Sequence, residues 1–201
     1  MSNGIQTSDA ARWNARYADG AYADREHPSV ALKQWLERQP TVSNKSRMAA
    51  DLACGRGRNS RYLAQHGWQV EGYDVSAVGL ELAAAATDRA APVTWIERDL
   101  LQTGLPEECR FDLIIAMRFY APALFPCLSQ HMHPGATVIV ECHLQTEQNG
   151  VGGPGSNRFR ARPKECISWF PDLQIEEHFE GITVDPDGTP MALARVIAHK
   201  P

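Results

Sequence analysis

The sequence predicts an α/β protein in which a doubly wound, mostly parallel sheet of seven strands ends in a C-terminal antiparallel hairpin. From residue 48 onward, short apolar runs alternate with segments suited to helices, which is the pattern of right-handed βαβ units. This alternation stops near the end of the chain. The runs at 173–179 and 191–198 are joined through the turn sequence Asp185-Pro-Asp-Gly188 with no room for a helix, so they should pair antiparallel.

Five further strands precede that hairpin. Each is a short run rich in apolar residues, and the first three are followed closely by a glycine or an acidic residue. The run Phe111–Met117 is apolar along most of its length, which suits a strand buried on both faces of a parallel sheet. The predicted strands cover residues 48–53, 69–74, 93–97, 111–117 and 137–143, and Pro134-Gly135 forms the turn before the last of them.

Helices are expected between these strands. Asn59 can cap the first helix, which runs to about His66 and is ended by Gly67. Ser76 can cap an alanine-rich helix that reaches about Ala90. A third helix is expected to fill the interval up to His131.

The chain of 201 residues has the length of one domain. Residues 1–47 are expected to form a helical cap beside a cofactor-binding core at residues 48–201. Within the cap, the stretch 28–38 is amphipathic, and its apolar residues fit one helical face: Val30, Leu32, Trp35 and Leu36.

Composition excludes several classes of function. The net charge of −4 argues against a nucleic-acid partner, and no apolar run approaches the roughly 20 residues that span a membrane. The start, Met-Ser-Asn-Gly-Ile, has no feature of a secretory signal. The five cysteines form no Cys-x-x-Cys pair, so neither a metal site nor a disulfide framework is indicated. We therefore expect reduced thiols and a cytoplasmic location.

The residues that follow the first two strands carry the strongest functional signal. Ligands of open α/β sheets bind beyond the carboxyl ends of the strands. Gly55 and Gly57 allow a sharp turn and a close approach of the backbone to a ligand. Asp74 ends the second strand, where its carboxylate can accept hydrogen bonds from both hydroxyls of a ribose. A glycine turn, a helix, a strand and an acid in this order indicate a cofactor that contains a nucleoside.

Charge distinguishes between two such cofactors. A nicotinamide cofactor carries a pyrophosphate, which prefers a helix N-terminus without a nearby carboxylate. Here Asp51 precedes the turn, and Ser60 replaces the third glycine of the dinucleotide motif. S-adenosylmethionine has an ammonium that Asp51 can bind, and a carboxylate that amides near Gly55 and Gly57 can bind. Asp99, with the Leu100 amide, can bind an adenine, or Asp99 can cap a helix.

A family resemblance rests on these motifs. Asp51-Leu-Ala-Cys-Gly-Arg-Gly-Arg-Asn59, followed by Arg61-Tyr-Leu-Ala64, Gly67 and Tyr73-Asp-Val-Ser76, resembles the Rossmann-like class I S-adenosylmethionine-dependent methyltransferases. The chain is most similar to their small tellurite-resistance-type branch, which Trp13-Asn-Ala-Arg-Tyr17 and Phe159-Arg-Ala-Arg-Pro163 also resemble. The resemblance covers residues 12–198.

The sequence departs from the family pattern at three places. Ala53 stands where the family usually has a glycine, and Arg118-Phe-Tyr-Ala-Pro122 lacks the arginine usual before that proline. Glu141-Cys-His143 replaces the usual threonine–phenylalanine pair. These departures lie near the expected substrate side, so they leave the substrate open.

The candidate cofactor-binding residues follow from the motifs and the resemblance together. They are Trp13, Tyr17, Asp51, Ala53, Cys54, Gly55, Gly57, Asn59, Asp74, Val75, Asp99, Leu100 and Met117.

The substrate side is expected after the fourth and fifth strands. Methyl transfer from a sulfonium is an in-line displacement that depends on alignment, and it needs a base only when the acceptor arrives protonated. The candidate catalytic residues are His143, whose usual pKa suits a base at neutral pH, Arg118 and Tyr120. Each has a structural alternative, namely loop capping or packing. The loop 148–156 is either a lid over the site or a flexible surface loop. We expect a solvated loop face, rather than an anion-binding site, for the three arginines that follow it, Arg158, Arg160 and Arg162.

The function expected from the sequence is methyl transfer from S-adenosylmethionine to a small-molecule acceptor. A soft heteroatom such as sulfur, selenium or tellurium is implied by the resemblance alone. Two alternatives remain open: a nicotinamide-dependent oxidoreductase, and a module that binds S-adenosylmethionine without turnover.

Overall fold

A computed structural model describes residues 8–39 and 47–201 of the chain. The N-terminal residues on which the absence of a secretory signal was judged, and part of the predicted cap, lie outside these ranges. The seven strands of the described chain form one sheet. They are β1 (Arg47–Leu52), β2 (Trp68–Asp74), β3 (Val93–Glu97), β4 (Phe111–Met117), β5 (Met132–His143), β6 (Gln174–Val184) and β7 (Pro190–His199).

The order of the strands in the sheet is β3-β2-β1-β4-β5-β7-β6. The first five pair in parallel, and β7 runs antiparallel to both β5 and β6. The predicted doubly wound sheet with its C-terminal hairpin is therefore confirmed. The strand order changes direction between β1 and β4, so their carboxyl ends flank the crevice in which such sheets bind ligands.

Helices and short 3-10 segments cover the two faces of this sheet. The helices are α1 (Asp9–Ala18), α2 (Val30–Glu37), α3 (Arg58–Gln65), α4 (Ala77–Ala85) and α5 (Leu100–Thr103). On one face, Leu32 and Trp35 of α2 pack with Leu113 and Ile115 of β4. On the other face, Phe125 packs against Trp169, with ring centroids 4.8 Å apart.

Three predicted helical features are wrong, besides the cap of α3 described with the site below. No α-helix fills the interval up to His131, which instead holds the 3-10 segment Phe125–His131. Pro122 and Pro126 remove backbone donors there and explain the difference. Helix α4 stops at Ala85 rather than near Ala90, because Asp88 accepts the Ala90 amide at 2.8 Å in a local turn.

The third difference is Val30, which is 39% exposed, whereas Ala31 takes its place on the buried face of α2. Strand β5 also begins earlier than predicted, at Met132. The predicted turn at Pro134-Gly135 therefore lies inside the strand as an irregularity. Gly135 has a φ of +77°, and the pairing register shifts between Phe111 and Leu113 of β4.

None of the helices within residues 8–39 and 47–201 is long and apolar enough to cross a membrane.

Candidate functional site

The site is built around Asp51, which lies one residue before the end of β1. Its side chain is 1% exposed and accepts a hydrogen bond from the Ser60 hydroxyl at 2.6 Å. No lysine or arginine of the described chain forms an ion pair with it. Burial raises the pKa of Asp51 to about 7, since the charged form loses its hydration. Ser60, which replaces the third glycine of the dinucleotide motif, thus supports this carboxyl group.

A turn with left-handed backbone connects β1 to α3. Ala53, Gly55 and Gly57 all have φ values between +56° and +72°. A side chain at Gly57 would collide with the Trp95 ring, so glycine is required there for space as well as for conformation. Gly57 is also the N-cap of α3.

Asn59 therefore does not cap α3, contrary to the prediction. It lies inside the first turn of the helix, and its side-chain oxygen accepts the Ser29 amide at 2.8 Å. This bond ties the segment before α2 to the turn. Cys54 lies between Ala53 and Gly55 and is buried as a small residue. Burial raises the pKa of its thiol.

Asp74 lies at the end of β2, beside the same turn. One carboxylate oxygen accepts the Gly55 amide at 2.7 Å, and the other accepts the Ser76 amide at 2.9 Å. Burial raises the pKa of Asp74 although these bonds oppose the shift. Each oxygen retains a second acceptor position, as two ribose hydroxyls would need. Val75, which follows Asp74, is half-buried.

The turn uses the amides that were expected to face a ligand. The Gly55 amide donates to Asp74, and the Gly57 amide donates to the Cys54 carbonyl at 2.9 Å. These two amides hold the turn in shape, so a ligand carboxylate must find other donors near them.

Helix α1 covers the turn from the N-terminal side. The Tyr17 ring lies against Gly79 and its hydroxyl against Gly55, and Trp13 stacks on Tyr17 at 5.7 Å between ring centroids. Asn14 anchors the helix because it accepts the Ser76 hydroxyl at 2.7 Å and the Val78 amide at 3.2 Å. The sequence analysis missed Asn14, although it lies within the motif from Trp13 to Tyr17.

Asp99 makes the contacts of a helix cap. One oxygen accepts the amides of Leu101 and Gln102 at 3.1 and 3.2 Å, and the other accepts the Gln102 side chain at 2.7 Å. Leu100 is buried at the start of α5. The capping alternative is thus observed, and a contact between Asp99 and an adenine stays a prediction.

The end of β4 carries Met117, which is buried, and Arg118, which has a φ of +63°. The Arg118 guanidinium forms ion pairs with Glu141 at 3.2 Å and with Asp185 of the C-terminal hairpin at 2.7 Å. Its Nη1 atom is buried without a hydrogen-bond partner in the part of the chain that the structure describes. A cleft of about 130 Å³ lies beside these residues, bordered also by Gln34 of α2.

His143 ends β5 and is 8% exposed. Its Nδ1 atom is buried and has no hydrogen-bond partner among the described residues. Burial, together with the charges of Arg118, Arg160 and Arg25, lowers the pKa of His143 to about 3. The expectation that its pKa suits a base at neutral pH is therefore wrong, because burial and the charges of arginines from three distant segments disfavour the protonated ring. We call Arg25, Arg118 and Arg160 the arginine cluster.

Tyr120 is engaged elsewhere. Its hydroxyl donates to Glu165 at 2.9 Å, and its ring packs near Trp169. Burial and the Glu165 carboxylate raise the pKa of Tyr120 to about 12. These contacts match the packing alternative.

The loop 148–156 is fixed by Arg160. This side chain is 7% exposed and donates to the carbonyls of Leu144, Gly152 and Pro154 at 2.9 to 3.1 Å. The solvated face predicted for the three arginines is thus wrong for Arg160, although Arg162 is exposed beside Glu165. Gly153 lies directly against the His143 ring, where a side chain would not fit. The loop therefore forms one wall of the His143 site.

Comparisons with known proteins identify part of the chain. Residues 49–135 match the sequence model of a family described as "Methyltransferase domain". A methyltransferase-like protein of Bacillus subtilis, YqeM, is 31% identical over 83 residues, which cover 41% of this chain and 32% of that protein.

Solved structures extend the similarity to the whole fold. TehB from Haemophilus influenzae superposes with a TM-score of 0.69 at 18% identity, over 92% of this chain and 66% of that one. Magnesium protoporphyrin IX methyltransferase from Synechocystis PCC 6803 with bound S-adenosylmethionine gives a TM-score of 0.61 at 16% identity, over 100% and 87% of the two chains. At these identities the similarity establishes the fold.

The buried carboxyl group of Asp51 should make stability depend on pH. Its pKa is higher in the folded chain than in the unfolded chain, so the folded state binds the extra proton between about pH 4 and pH 7. Asp51 therefore lowers stability increasingly as pH rises through this window. Asp51→Asn should remove the effect. The free energy of unfolding of the variant minus that of the wild type should therefore increase by about 2 kcal/mol from pH 5 to pH 7.

Urea unfolding at pH 5, 6, 7 and 8 measures this difference. Asp172→Asn is the matched control, because Asp172 is exposed and its profile should parallel that of the wild type. Parallel profiles for Asp51→Asn and the wild type would mean that Asp51 is not held in an unfavourable ionised state.

Proposed function

We propose that the chain transfers a methyl group from S-adenosylmethionine to a small-molecule acceptor, since residues 49–135 match the family described as "Methyltransferase domain". One observation carries this proposal. Two buried carboxyl groups, Asp51 and Asp74, flank a left-handed turn at the carboxyl ends of adjacent parallel strands, and neither forms an ion pair within the described chain.

The chemistry of the ligand follows from that charge. A buried carboxylate without a cation is costly, so the site favours a ligand that brings one. The ammonium of S-adenosylmethionine fits Asp51, and its ribose hydroxyls fit the free acceptor positions of Asp74. A pyrophosphate would place further negative charge beside both carboxyl groups, which argues against the oxidoreductase alternative.

Other residues complete the proposed cofactor site. Tyr17 and Trp13 cover it from α1, Asp99 and Leu100 border it on the adenine side, and Met117 borders it at the end of β4, near the methyl group. The turn itself supplies Ala53, Cys54, Gly55, Gly57, Asn59 and Val75. In this proposal residues 1–47 act as a cap over a core at 48–201, within a single methyltransferase domain.

The acceptor side is proposed around His143. Bound S-adenosylmethionine supplies an activated methyl group whose transfer releases a neutral thioether. With a pKa of about 3, His143 is neutral at physiological pH but is a weak base, since efficient bases have pKa values near the working pH. We therefore assign it to positioning, as a neutral side chain at the end of β5 whose ring is held against Gly153.

The arginine cluster supports an acceptor that arrives as an anion. Arg118 and Arg25 share the carboxylate of Asp185, and neither N–H of the buried Arg118 Nη1 has a hydrogen-bond partner among the described residues. An ionised sulfur, selenium or tellurium acceptor needs no base and would be stabilised by this charge. Tyr120, held by Glu165, is proposed to shape the same side of the site.

Calorimetric titration tests the cofactor. S-adenosylmethionine and S-adenosylhomocysteine should bind, and NADH should not. Asp74→Asn should weaken binding about tenfold or more, because charge-assisted hydrogen bonds are lost, whereas Asp172→Asn should bind normally. Binding of NADH in preference to the methyl donor would overturn the proposal in favour of the oxidoreductase.

Turnover tests the role of His143. Thiols of different pKa, selenite and tellurite are offered with the methyl donor; binding without any turnover would identify the non-catalytic module. His143→Gln should lower kcat by less than about tenfold, since a lost general base costs about 10²–10⁴. The pH profile should follow the ionisation of the acceptor in both proteins. A loss above about a hundredfold with normal cofactor affinity would restore His143 as a base.

A further inference from the structure

A second cluster of reactive side chains lies on the edge of the sheet. His178 and Glu180 are two residues apart on β6, so their side chains emerge on the same face of this edge strand. The short 3-10 segment Cys166–Trp169 packs beside them and brings the Cys166 thiol into the group. The proposed methyl-transfer chemistry uses none of the three residues.

The distances between the donor atoms suit a metal ion. His178 Nε2 lies 3.2 Å from Glu180 Oε1, and Cys166 Sγ lies 3.8 Å from the same oxygen. All three ligand atoms lie within 4.8 Å of one another. Tetrahedral zinc with bonds of about 2.0–2.3 Å holds its ligand atoms about 3.3–3.7 Å apart, so small side-chain adjustments suffice.

The donor set favours zinc over harder ions. A thiolate, an imidazole and a carboxylate are the three protein ligands of zinc, whereas calcium and magnesium take oxygen ligands. Cys166 Sγ lies on the buried side of the cluster, and the side chains of His178 and Glu180 are 28% and 17% exposed. An ion can therefore enter from solvent and keep a water molecule as its fourth ligand.

The hydrogen bonds of the cluster show how an ion would be accommodated. Glu180 Oε1 accepts from Cys166, His178 and the Lys164 amide, so three donors converge on one oxygen. The hydrogen bond from the Lys164 amide, at 2.5 Å, holds the Glu180 carboxylate in place. Coordination would replace the proton of the Cys166 thiol, and the Cys166 and Glu180 charges would then balance the ion.

We propose that Cys166, His178 and Glu180 form a zinc site. The sequence analysis expected no metal because the cysteines form no Cys-x-x-Cys pair. This donor set is brought together by the pairing of the hairpin and the packing of the 166–169 segment, which no local motif encodes.

Zinc titration of the untagged full chain, stripped of metal and placed in competition with a chromophoric chelator, tests the site. The wild type should bind one zinc per chain and release about one proton at pH 7. Cobalt, used as a spectroscopic probe, should give the charge-transfer band of a thiolate ligand. Cys166→Ser and His178→Gln should each weaken zinc binding about tenfold or more.

Matched controls are Cys127→Ser and His133→Gln, whose residues are exposed and lie outside the cluster. Both should bind zinc as the wild type does. His178→Gln at the sheet edge keeps the test valid if Cys166→Ser, at a buried position, fails to fold. Zinc affinity that is equal in the wild type and His178→Gln, or a cobalt complex without a thiolate band, would overturn the proposal.

Discussion

The arrangement of this protein depends on a carboxyl group that is buried without a cation. Asp51 has 1% of its surface exposed and one strong hydrogen bond, from Ser60. Burial of such a group without an ion pair lowers stability, although the charge of Arg58 offsets part of the cost, and the fold tolerates it at the switch point between β1 and β4. The left-handed turn that follows, fixed by the bond from Gly55 to Asp74, keeps the two carboxyl groups on either side of one crevice.

The charges of the site are divided between its two sides. The ends of β1 and β2 present carboxyl groups that form no ion pair within the described chain, whereas at the ends of β4 and β5 Glu141 and Asp185 pair with Arg118 of the arginine cluster. The proposed function pairs a cationic methyl donor on the first side with an anionic acceptor on the second, and in that proposal the protein supplies alignment rather than proton transfer. The C-terminal hairpin contributes directly, since Asp185 in its turn holds both Arg118 and Arg25.

The parts of the structure that depend on local sequence could be predicted. Strands β3 and β4, the Ser76 cap and the hairpin turn follow from apolar runs and turn residues next to them. The contacts that hold the loop 148–156 and the lowered pKa of His143 could not be predicted. Both depend on where tertiary packing brings Arg160 and Arg118 relative to residues distant in sequence. Arg118 and Asp185 are separated by 67 positions in sequence, and no periodicity connects them. Prolines within the interval before His131 were a readable signal that the helix prediction overlooked.

The most direct test of the central claim is the proton balance of cofactor binding. If the ammonium of S-adenosylmethionine pairs with Asp51, binding must ionise a group whose pKa is about 7 in the free chain. Titrations at pH 6.5 in buffers of different ionisation enthalpy should then show release of most of one proton per complex, and Asp51→Asn should show none. Binding of S-adenosylmethionine to the wild type without proton release would contradict the account.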